Sequence, residues 1–141
     1  MTLEETIETL TRWAAIEDDA FVTIGGWVAS IDDPAVKVVL AQQAPHHGWH
    51  AALWQERVPV VHTVQAPVVP AGASGLAGST LDERLDAVFR RFLPEAIEGY
   101  RAALAVANPA SDGPMIRALE LVIADEERDL AAGLRLLGER S

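Results

Sequence analysis

Six residues combine a metal-binding or proton-transferring side chain with a position that a helix would bury: Glu17, His47, His50, Glu95, Glu126 and Asp129. Glu126 interrupts the stripe Ile116, Leu119, Ile123, Leu130, Gly133, Leu137, which otherwise steps by three and four residues. Glu17 stands the same way among Leu3, Ile7, Leu10, Ala14, Phe21, Ile24 and Val28. Gln43, His47 and His50 fall between Val36, Leu40 and Trp54, and Glu95 falls among Leu85, Val88, Phe92, Gly99, Ala102 and Val106. A carboxylate in an apolar seam costs several kcal/mol unless it is paired, protonated or bound to a metal. Polar residues near the middle of four helices are therefore expected at one depth, as a shared polar layer inside a bundle.

The chemistry open to such a layer follows from its donors. Carboxylates and imidazoles are suitable ligands for iron, manganese or zinc. Four carboxylates and two neutral imidazoles carry four negative charges, which two divalent cations would neutralise. His47 and His50, at i and i+3, face one side of a helix. His46 and His50, at i and i+4, would also suit one ion if the helix turned slightly after Pro45. His62 lies outside any helical seam and reads as a surface or packing residue. The same side chains could instead be satisfied without metal, the glutamates by Arg12, Arg57 or Arg128 and the histidines by the glutamates themselves. Trp13, Trp27, Trp49 and Trp54 read as core and interface residues rather than as a substrate cage.

Helix starts are written plainly. Thr2-x-x-Glu5 and Thr80-x-x-Glu83 read as capping boxes, in which each side chain satisfies the other residue's free backbone donor. Asp33-Pro34 reads as an N-cap followed by proline at the first helical position. Asn108-Pro109 closes the third helix, and Ser111-Asp112 opens the fourth. The expected helices cover residues 3–30, 34–57, 81–107 and 113–138, with no period-two segment to suggest a strand. Short links make the first two and the last two helices antiparallel hairpins. Residues 58–80, rich in Pro, Gly, Ala and Val, are long enough to carry the chain back along a helix of about 25 residues, a rise of roughly 37 Å, the alternative being a mobile linker. Pro45 and Pro94 interrupt helices beside the polar layer, and Gly25, Gly26, Gly48, Gly99 and Gly133 sit nearby. Kinks and small residues there would either open a pocket lined by Phe21, Trp49, Trp54, Phe92 and Tyr100 or bring helices into close contact.

Bulk properties narrow the function. At 141 residues the chain is expected to be a single domain, and half its residues are hydrophobic, which excludes disorder. A net charge of −10 with one lysine, Lys37, and scattered arginines argues against a nucleic-acid partner. Apolar runs are short and broken by charges, and the N-terminus lacks a signal-peptide pattern, so a cytoplasmic protein with no membrane partner is expected. The absence of cysteine excludes thiolate ligands and disulfides.

The order Glu17, then 47-x-x-50, then Glu95, then 126-x-x-129 resembles the ferritin-like di-iron or di-manganese carboxylate superfamily. Its pattern is one Glu from each of two helices and Glu-x-x-His from each of the other two, and the resemblance spans the whole chain. It implies an all-α, ferritin-like four-helix bundle with a long crossover at 58–80. It also implies iron or manganese, dinuclear in the family, held by Glu17, His47, His50, Glu95, Glu126 and Asp129. Two positions depart from the pattern: His47 stands where a bridging Glu is expected, and Asp129 where the second His is expected. Imidazole binds one metal and cannot bridge two, so a dinuclear centre, a mononuclear one and no metal at all remain the three outcomes. The activity implied is oxidation or oxygenation of a small organic molecule. The alternatives are a metal-free pocket that binds a small molecule, with acid–base chemistry, and an interaction module that pairs as a homodimer through exposed tryptophans.

Overall fold

A computed structural model describes residues 1–140, and among these the regular structure is entirely helical. The chain divides into two compact units, Met1–Gly75 and the residues from Leu76 onward. No described helix is long and apolar enough to cross a membrane.

The first unit is a helical hairpin of α1 (Leu3–Val28) and α2 (Pro34–Arg57). Both starts follow the local chemistry of their caps. The Thr2 hydroxyl accepts the Glu5 amide at 3.1 Å while the Glu5 carboxylate accepts the Thr2 amide at 2.7 Å. The Asp33 carboxylate accepts the amides of Ala35 and Val36, and Pro34 occupies the first turn, where its missing N–H costs nothing. Trp13 meets Trp54 with ring centroids 5.0 Å apart, and Phe21 lies over Gly48. Higher numbers on α1 thus meet lower numbers on α2, as an antiparallel pair requires. The seam of α2 is buried throughout at Val36, Leu40, Gln43, His47, His50 and Trp54.

Residues 58–75 contain no helix or strand and lie back along α1. Thr63 and Val64 approach Glu4 and Glu8, Pro67 and Val69 lie above Thr11 and Ala14, and Ser74 reaches Asp19. The Asp19 carboxylate accepts both the Ser74 amide, at 3.1 Å, and the Ser74 hydroxyl. Gly72 and Gly75, at φ +80° and +69°, supply the left-handed turns on either side of this clamp. Asp19→Ala is expected to free the segment, seen as several-fold faster proteolysis within 58–75 with the helices of the hairpin still protected from hydrogen exchange.

The second unit is also a hairpin. Its first arm is one continuous helical run made of α3 (Leu81–Asp86), a π-helical turn (Ala87–Phe92) and α4 (Leu93–Val106). Its second arm is α5 (Gly113–Arg140). The link is a tight turn in which the Asn108 side chain accepts the Ala110 amide and Asp112 accepts the Asn108 amide. Ion pairs Arg101–Glu127 (2.7 Å) and Arg140–Asp82 (3.2 Å) tie the arms on their outer side. The capping box at Thr80 and Glu83 forms as expected. Thr80→Ala should lower stability by about 1 kcal/mol in urea unfolding. Hydrogen bonds from Ser79 and then Thr80 hold the Glu83 carboxyl below its ordinary value of 4.5. The cap's contribution is therefore full at neutral pH and is lost as pH falls through that lowered value.

The π turn reorganises this arm. Pro94 lacks the amide that an α-helix would use, and its ring crowds the carbonyl four residues back. The chain widens just before it, so that the Leu93 amide reaches the Val88 carbonyl five residues back. One extra residue in the turn rotates everything downstream by about 100°. The buried stripe accordingly runs Leu85, Val88, Phe89, Phe92, Leu93 and then Ile97 and Tyr100. The expected seam positions Glu95, Gly99, Ala102 and Val106 all face outward.

Candidate metal centre

Glu17 is positioned by the middle of α1, about four turns from its cap, on the stripe of Leu10, Ala14 and Ile24. His47 and His50 come from the middle of α2, two and five residues beyond Pro45. All three side chains are completely excluded from solvent. The Glu17 Oε2 atom lies 2.7 Å from His47 Nδ1 and 3.4 Å from His50 Nδ1. The two imidazoles stand edge to face, with centroids 6.1 Å apart. The pair expected from i, i+3 spacing therefore converges on one carboxylate oxygen.

This donor set could hold a metal ion. Glu17, His47 and His50 each present a ligand atom, and these atoms lie within 4.8 Å of one another. Ligands at about 2.0–2.2 Å from one ion lie up to roughly 4.4 Å apart, so small side-chain adjustments would bring the three onto a single ion. The arrangement also resembles a carboxylate–imidazole hydrogen bond in which Glu17 accepts from His47 Nδ1 and so directs Nε2 away as an acceptor or ligand.

Two of the three arginines that could have neutralised the site are engaged elsewhere. Arg12 pairs with Glu8 at 3.2 Å, and Arg128 with Asp125 at 2.6 Å, both on the surface. Arg57 makes no ion pair among the described residues. Helical position also decides between the adjacent histidines. His47 is buried, His46 is half-buried, and His62 is exposed.

Two further expected ligands, Glu126 and Asp129, are buried on α5 of the second unit, one turn apart on the stripe of Leu119, Ile123 and Gly133. Glu95 corrects the expectation. Its side chain is 68% exposed and lies 3.8 Å from Arg91, as an ordinary surface pair. The physical reason is the π turn before Pro94, which rotates Glu95 out of the seam. A second stripe, Leu93, Ile97, Tyr100 and Leu104, carried that signal in the sequence.

The pocket expected beside the layer is also different. Phe21 and Trp49 are 40% and 48% exposed, while Trp54 is fully buried against Trp13. At Gly48 the close-contact reading holds, because a Cβ there would meet the Phe21 ring at 3.2 Å. The open space in this unit lies instead between α1, α2 and the return segment, as a groove of about 470 Å³. Asp19 and Ser74, which clamp that segment, carried no periodic or motif signal.

Compared with known proteins, the chain matches no family model, no curated protein and no solved structure.

Proposed function

We propose that the two hairpins assemble as a ferritin-like four-helix bundle and that the protein is an oxidoreductase or oxygenase using iron or manganese on a small organic molecule. The observation that supports this reading is the convergence of His47 and His50 on the fully buried carboxylate of Glu17. A bound metal would supply activation of dioxygen or peroxide. Glu17, His47 and His50 would hold it, and their burial would exclude bulk water from the reacting centre.

Charge balance suggests a further ligand. One carboxylate and two neutral imidazoles leave a divalent ion with one positive charge in a water-excluded place, which is costly. We assign the neutralising carboxylate to Glu126, which is buried in mid-helix on α5. Two carboxylates and two imidazoles would then neutralise one divalent ion, which favours a mononuclear centre over a dinuclear one. Asp129 would act beside Glu126 as a hydrogen-bond acceptor or variant ligand.

Elemental analysis of protein purified without chelator, then loaded with Fe(II) or Mn(II), tests this reading. About one metal per chain is expected, with Glu126→Gln weakening the affinity at least about tenfold. Protein that holds no stoichiometric metal under these conditions rules the reading out.

The direct Nδ1–Oε2 separation of 2.7 Å favours a second reading, a metal-free polar pocket in which Glu17 and His47 form an acid–base pair. That reading expects His50→Ala to keep its small-molecule affinity, with no metal in either form.

A further inference from the structure

Beneath the return segment, the first unit carries a groove whose polar groups are not used by its own fold. Its floor is made of small side chains, Ala14 and Ala15 on α1 and Ala51 and Ala52 on α2, with Pro67 and Val69 as its roof. Asp18 lies at one end, beside Gly48. At the other end, near the Trp13–Trp54 contact, are Thr11 and Gln55.

These three polar side chains are available. Among the described residues the Asp18 carboxylate and the Gln55 amide make no hydrogen bond or ion pair, in contrast to Asp19, which is committed to Ser74. The Thr11 hydroxyl is shielded from solvent without a partner. Thr11 lines the groove, and a threonine hydroxyl in a helix can exchange between two χ1 settings. Seven residues of α1 separate Asp18 from Thr11, a distance of about 10 Å.

The charge selects the ligand. Among the described residues the only ionic group lining the groove is an unpaired carboxylate, Glu4 lines the adjoining cavity, and the chain carries −10 overall. An anion would be repelled from it, and a cation attracted. The floor also lies one helical turn from the buried site, because Ala14 precedes Glu17 by three residues and Ala51 follows His47 by four.

We propose that this groove binds a small, elongated organic ammonium ion, with the ammonium on Asp18 and a hydroxyl or amide of the ligand at Gln55 and Thr11. Its role as the substrate groove of the Glu17–His47–His50 centre rests on the metal reading above; the binding itself does not. An exposed carboxylate makes a weak ion pair, so affinity is expected near the millimolar range.

The test is an amide NMR titration of the chelator-treated full chain with 6-aminohexan-1-ol, hexan-1-ol and 6-hydroxyhexanoate. The amino alcohol should give saturable shifts at Thr11, Asp18, Gly48 and Gln55, the alcohol about tenfold weaker shifts, and the carboxylate none. Asp18→Asn should lower amino-alcohol affinity about tenfold, and Ala52→Trp should block the groove. Both positions are exposed, so neither change threatens the fold. Equal binding of amine and alcohol, or an Asp18→Asn variant that binds as well as the parent, overturns the proposal. In Mn(II)-loaded protein the bound probe's proton signals should broaden, and Asp18→Asn should abolish the effect. Probe binding without that broadening, in protein that holds the metal, overturns the substrate role. Probe binding in protein that cannot be loaded leaves the groove standing and removes the metal reading.

Discussion

Glu17→Ala is expected to abolish stoichiometric metal binding and to lower the stability of the metal-free protein by about 3–5 kcal/mol. The carboxylate is fully buried and its Oε2 atom is shared by two buried imidazoles, 2.7 and 3.4 Å away. Truncation leaves both rings in a cavity without that partner, and an unsatisfied buried polar group costs about 1–3 kcal/mol by itself. Metal content and urea unfolding, measured on the same preparation, read the two effects separately. A triple variant, Glu17→Met with His47→Leu and His50→Leu, provides the control. Replacing a whole buried polar network by apolar groups of similar volume is often neutral or stabilising. The triple variant should therefore stay folded and bind no metal. Retention of stoichiometric metal by Glu17→Ala would place the ion elsewhere and overturn the assignment of the centre.

Gly133→Ala carries the second large effect, and it tests the second unit. A Cβ at Gly133 would stand 2.0 Å from Cδ1 and 2.1 Å from Cε1 of Phe89, a fully buried ring on the π turn. Neither ring nor helix can yield by that much without repacking, so a loss of about 3 kcal/mol is expected, or roughly a 10 °C fall in Tm. Phe89→Leu in the same chain should recover part of the loss, a coupling that two independent sites would not show. Gly99→Ala sets the sign. Gly99 is exposed in α4, and a Cβ there meets nothing within 4 Å, so that change should stabilise by up to about 1 kcal/mol. Equal effects of the two glycine substitutions would show that Phe89 does not pack on Gly133.

The contrast between Glu17 and Glu95 shows how far periodicity reaches. Both interrupt an apolar stripe at helical spacing. Glu17 sits in an uninterrupted α-helix, where a step of three or four residues returns to the same face, and it is buried as its spacing implies. Glu95 sits one residue after Pro94 and downstream of six π-helical residues, where that step no longer holds. Proline announced a disturbance, but it did not say whether the helix would kink or take up an extra residue. That choice depends on which side chains the arm can bury, and Ile97 and Tyr100 replace Glu95 and Gly99 in the seam.

Several features were determined by the sequence alone. The helix starts, the short hairpin links, the apolar seam of α2 and the burial of Glu17, His50, Glu126 and Asp129 all follow from local capping chemistry and a 3.6-residue period. These depend on interactions within a few residues of one another. Tertiary structure decided the rest. It chose His47 over His46 and brought both seam histidines onto one oxygen of Glu17. It turned Glu95 to solvent and placed Phe21 over Gly48. It also laid residues 58–75 along α1 by way of Asp19 and Ser74, leaving an acidic groove above an alanine floor. Each of these depends on the distance between side chains far apart in the chain, or on the energy of one packing against another, and neither is encoded in a local period.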